Sequence, residues 1–82
     1  MTRFTPVLDS LEVSLASMTE KNDAGWFRNR PLVDAALAAM VDLYTRARTA
    51  DDASDQVAVS YLIRRILDVM DKFEAAAGAL DG

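Results

Sequence analysis

The sequence predicts an all-α protein, a small three-helix bundle or helical hairpin with a packed N-terminal helix, forming one domain over residues 1–82. Three observations carry that prediction. The chain holds only three Gly and two Pro, and Ala, Leu and Met outweigh the aromatic and β-branched residues that favour strands. Apolar residues recur at spacings of three and four along three separate segments. No internal repeat, Gly/Ser linker or low-complexity tract divides the chain.

The first helix is expected over about 6–22, with Thr5 as N-cap and Pro6 at the first helical position, where a missing N–H costs nothing. Leu8, Leu11, Leu15 and Met18 form its stripe with Val7 beside it, and Asn22 to Gly25 supplies the stop. The second helix is expected over about 30–49, opening near Asn29 to Pro31. Its apolar residues, from Leu32 and Val33 through Leu37, Met40 and Tyr44 to Ala47, cover roughly half the circumference at ~100° per residue.

A polar turn, Ala50 to Ser54, precedes the third helix, expected over about 54–78. Asp52 or Ser54 can cap it, and Asp55 adds negative charge to the first turn. Val59, Leu62, Ile66, Val69, Phe73, Ala76 and Leu80 alternate spacings of three and four, and Ile63, Met70 and Ala77 widen that stripe. An antiparallel hairpin of the last two helices, its groove covered by the first, accounts for the pattern. So does a seam between two chains. Val13, Leu43, Val57, Tyr61 and Leu67 lie at stripe edges or outside them, so further burial in a homodimer is expected.

Composition excludes several function classes. Without Cys there is no disulfide framework or thiol nucleophile, and a reducing, cytoplasmic setting is the expectation. Without His the usual general base and commonest metal ligand are missing, so no catalytic residue, cofactor or metal is predicted. Asp51, Asp52 and Asp55 cluster but lack the spacing of a calcium loop. A net charge of −4 disfavours nucleic acid, which proteins grip through cations. In a helix-turn-helix reading, those three aspartates would face phosphate at the docking edge. The longest apolar run, Ala35 to Val41, is far short of the ~20 residues a membrane helix needs, and Asp9 and Glu12 interrupt the first apolar stretch, so no signal peptide is read there.

Asp9-Ser10-Leu11 is similar to the attachment motif of acyl carrier proteins. In that family the serine opens the second helix. Here Ser10 falls inside the first, so the resemblance does not extend to position.

What remains is a non-enzymatic module that binds a protein partner. The connection Gly25 to Pro31 holds the only Trp, an adjacent Phe and two Arg, the residue types that dominate interface hot spots. Trp26, Phe27, Arg28 and Arg30 are therefore candidate anchors, although either aromatic can instead plug the end of the bundle. Tyr61, Arg64 and Arg65 form a secondary candidate patch. Arg46 and Arg48 are assigned to the dipole at the end of the second helix. Ala, Asp and Arg usage with little Lys resembles high-GC bacterial or bacteriophage proteins, where compact acidic helical chains serve as inhibitors or anti-activators. The alternatives are a structural subunit or secretion co-chaperone completed by a partner helix, and a small DNA-binding regulator.

Overall fold

The computed structural model describes residues 4–81, with side chains described from 4 to 73. The chain folds as an all-α three-helix bundle: α1 (Thr5–Asp23), α2 (Arg30–Asp52) and α3 (Gln56–Asp81). The apolar stripes predicted from spacing form the core. Leu8, Leu11 and Leu15 of α1 meet Val33, Leu37, Met40 and Ala47 of α2, and Val59, Ile63, Ile66 and Phe73 of α3. Met18, Leu43, Tyr44, Leu62, Val69 and Met70 pack against that cluster half-buried. The stripe positions Ala76, Ala77 and Leu80 lie outside the described side chains.

The first helix packs on the hairpin as expected, with Leu8, Leu11 and Leu15 in the shared core, but its backbone approaches only that of α2. Both α1 and α3 pack on α2, and among the described residues no Cα of α1 comes within 8 Å of one of α3. Side chains alone bridge the space between them. With two short connections, α1 and α3 run parallel to each other and antiparallel to α2. The bundle measures 44 × 19 × 17 Å.

Both connections end a helix in the same way. After α1, the Gly25 N–H donates to the Asn22 carbonyl (3.1 Å) and the Trp26 N–H to the Lys21 carbonyl (3.0 Å). After α2, the Ser54 N–H donates to the Asp51 carbonyl (3.0 Å) and the Asp55 N–H to the Ala50 carbonyl (2.9 Å). Each pair is a Schellman arrangement, which needs a left-handed residue at its apex. Gly25 meets that need at φ 81°, whereas Ser54 sits at φ 60° with a Cβ.

Capping differs from expectation in two places. α2 opens where expected, capped by Asn29, whose Oδ1 accepts from the Leu32 N–H at 3.2 Å. α3 is capped by Asp55, whose Oδ1 accepts from the Ala58 N–H at 3.2 Å, and not by Asp52 or Ser54, because α2 runs on through Asp52 and leaves only three residues for the turn. Thr5 is not the N-cap of α1. That position falls to Phe4, which offers no side-chain cap, and the Thr5 hydroxyl donates to Asp51 Oδ2 at 2.7 Å. Asp51 Oδ1 also accepts the Phe4 N–H at 3.0 Å. The anion favoured at this helix N-terminus therefore comes from the far end of α2.

Asp51 is 4% exposed, so the fold buries a carboxylate that the sequence placed in a polar turn. Burial is tolerated because donors meet both of its oxygens. In Asp51→Ala, Phe4 N–H and Thr5 Oγ1 lose their acceptor, and thermal unfolding should show a loss of about 3 kcal/mol, a fall in Tm on the order of 15 °C. Ser54→Gly should act in the opposite sense. Removing the Cβ from a left-handed residue should raise stability by about 0.5–1 kcal/mol in urea melts, with no change in m-value.

Candidate functional site

The turn between α1 and α2 forms one end of the bundle and separates the two aromatics that sequence reasoning left together. Phe27 turns inward and meets Phe73 edge to face, with centroids 5.0 Å apart and planes at 73°. It is the plug. Trp26 stays 72% exposed. Its place follows from the Schellman geometry, which sets the residue after Gly25 over the last turn of α1. The ammonium of Lys21 accordingly lies 5.7 Å from the Trp26 ring centroid.

The arginines of this turn are exposed but not equivalent. Arg30 lies 3.5 Å from Asp23 in an ion pair across the turn. Arg28 has no carboxylate partner among the described residues. Below the turn, buried Asn22 donates from Nδ2 to Asp34 Oδ1 at 2.6 Å and ties α1 to α2. Its own Oδ1 has no partner among the described residues, an acceptor whose burial costs about 1–3 kcal/mol. Beside the same end, Leu32, Ala35, Ala36, Val69, Lys72 and Phe73 line an open groove of about 400 Å³ between α2 and α3.

Tyr61, Arg64 and Arg65 lie elsewhere. Phe27 sits at the level of Phe73, and Tyr61 precedes Phe73 by twelve residues, about 18 Å along α3. The structure therefore does not bring the two candidate groups together. Arg65 Nη1 donates to Tyr61 Oη at 2.8 Å with its guanidinium 5.7 Å from the ring, so these two satisfy each other on α3. Arg64 borders Tyr61 across a shallow pocket that Ser60 also lines. With Phe4, Val7, Ser60, Ile63 and Leu67 it lines a second apolar groove, of about 350 Å³, where α1 and α3 fail to close.

Sequence reasoning missed the role of Arg48. α2 continues to Asp52, so Arg48 is more than a turn from the helix end and the dipole assignment does not hold for it. Instead it clasps α1. Arg48 Nη2 donates to Asp9 and Glu12, and its Nε to Tyr44 Oη at 2.7 Å, while Tyr44 Oη donates to Glu12 at 3.0 Å. Asp9 and Tyr44 hold the guanidinium pKa above its usual range, so the clasp keeps its cation at every accessible pH. Arg46 pairs with Asp42 at 3.3 Å on the surface.

Among the described residues no group of three or more Asp, Glu, His or Cys is placed to hold a metal, and no helix is long and apolar enough to cross a membrane. Comparison with protein-family models, curated proteins and solved structures finds no match to this chain.

The division of labour between the aromatics is measurable. Phe27→Ala should cost about 2–3 kcal/mol in chemical denaturation because it opens a cavity against Phe73. Trp26→Ala should stay within about 0.5 kcal/mol of the parent, as exposed positions do.

Proposed function

We propose that the chain is a non-enzymatic protein-binding module that docks on a larger protein through its α1–α2 turn and alters that protein's activity or assembly. One observation carries this reading: the single Trp is held 72% exposed on a turn fixed by two backbone hydrogen bonds. A solvent-facing indole on a hydrogen-bonded turn has few rotatable bonds to order on binding and offers a large area to bury. Arg28 beside it has no carboxylate partner among the described residues, which leaves a forked donor for a partner. The groove lined by Leu32, Val69 and Phe73 at the same end supplies adjoining apolar surface. The anchor set is thus Trp26 and Arg28. Phe27 supports it from within, and Arg30 braces the turn through Asp23.

Two further considerations shape the proposal. The grooves along the α1–α3 and α2–α3 seams are open and apolar, which suits helix or strand docking better than turnover of a small substrate. Direct DNA reading is disfavoured, because Asp52 at the end of α2 and Asp55 at the cap of α3 flank the turn in a chain of net charge −4. A regulatory role of the inhibitor or anti-activator kind in a bacterial or phage setting fits this format, as does a cytoplasmic location. A second reading, a subunit completed by a partner helix, is favoured by the unclosed seam between α1 and α3.

Affinity capture from host lysate tests the leading reading. Wild type should retain a specific protein that Trp26→Ala and Arg28→Glu, each with unchanged circular dichroism, release by about tenfold or more. Equal retention by wild type and both variants would remove the turn from the interface.

A further inference from the structure

The seam that α1 and α3 leave open carries a more definite assignment. Along α3, Val57, Ser60, Arg64, Leu67 and Asp71 recur at spacings of three and four, so they form one stripe beside the core stripe. Every residue of it is exposed. Leu67 is 46% exposed, and Val7 across the groove is 44% exposed, so apolar surface lies open on both walls.

The charges on the stripe are arranged around Leu67. Arg64 precedes it by three residues and Asp71 follows it by four. The neighbouring ions are satisfied within the chain: Lys72 pairs with Asp68 at 3.2 Å, and Arg65 holds Tyr61. Arg64 and Asp71 have no ionic partner among the described residues. They cannot pair with each other either, since seven residues separate them by about 10 Å along one helix. A second α3 laid antiparallel across the groove, with its two-fold axis passing between positions 67 and 68, sets Arg64 of each copy opposite Asp71 of the other. The two Leu67 side chains flank the axis.

We propose that this face is a self-complementary interface on which two copies of the chain dimerise, α3 against α3, each helix lying in the α1–α3 groove of the other. A two-fold contact requires one patch to serve both sides, so it needs a cation and an anion equally spaced about an apolar centre. This stripe has that pattern. Burial of Val7 and Leu67 drives association, whereas the exposed ion pairs fix register and orientation more than affinity. The assignment is independent of the Trp26 turn, and the antiparallel arrangement leaves the two Trp26 turns free at opposite ends of the dimer.

Charge exchange tests both the surface and its direction by sedimentation equilibrium over a concentration series. Wild type should dimerise. Arg64→Glu should oppose two acidic groups across the axis and Asp71→Arg two basic ones, so each variant alone should dissociate about tenfold more readily. Mixed in equal amounts, the two variants should form a heterodimer as strong as the parent dimer, because the introduced carboxylate at 64 then faces the introduced guanidinium at 71, and the native pair forms alongside. Both positions are exposed, and circular dichroism checks that each variant stays folded. A monomeric wild type would overturn the proposal and give the groove to a different partner. Variants that dimerise like wild type would overturn the surface, and a mixture that stays monomeric would overturn the antiparallel register.

Discussion

α2 has to serve two neighbours at once, and the rest of the molecule is arranged around that constraint. Val33, Leu37, Met40 and Ala47 are buried on it, while Tyr44 and Arg48 reach toward α1 and Leu32 and Ala36 border α3. A helix with so wide an apolar surface cannot be satisfied by a single partner. The short connections then place α1 and α3 on its two flanks, parallel to one another. Side chains such as Leu8 and Ile66 fill the centre, both at 0% exposure. The backbones of the outer helices stay apart, so the core is complete but the surface above it is not.

Polar interactions decide how α1 is seated on that framework. Its N-terminus is held by Asp51, its middle by the Arg48 clasp on Asp9 and Glu12, and its end by Asn22 on Asp34. All three ties run to α2. Among the described residues no hydrogen bond or ion pair joins α1 to α3, and apolar side chains of the shared core meet across that seam. The difference explains why one side of α1 is fixed in register while the other borders an open groove. Charged ties between helices specify geometry well, even where their net energy is small.

The surface that results has two separate regions. One end presents Trp26 on a Schellman turn, with Arg28 beside it. The flank of α3 presents Arg64, Leu67 and Asp71 above the unclosed seam. The inward turn of Phe27 packs the α1–α2 turn against α3 through Phe73, the same helix that carries the second region. A chain of 82 residues can therefore expose two separate regions without a second domain, because the hydrophobic core needs only one stripe of each outer helix.

The sequence by itself determined the helix count, the core stripes and the stops, because each depends on residues within one or two turns of each other. Leu8-Leu11-Leu15, Val59-Ile66-Phe73 and the Gly25 stop are of this local kind, and all are found as read. Only the tertiary structure decided which aromatic of the turn faces inward, since Phe27 finds its partner at Phe73, forty-six residues on. It also decided that Asp51 is buried and that Arg48 is a clasp, because their partners lie 47 and 39 residues away. A carboxylate or guanidinium has the same local signature whether it meets water or a distant helix. Periodicity shows which face of a helix is apolar, but the packing of the other helices settles what that face, and every charge beside it, comes to touch.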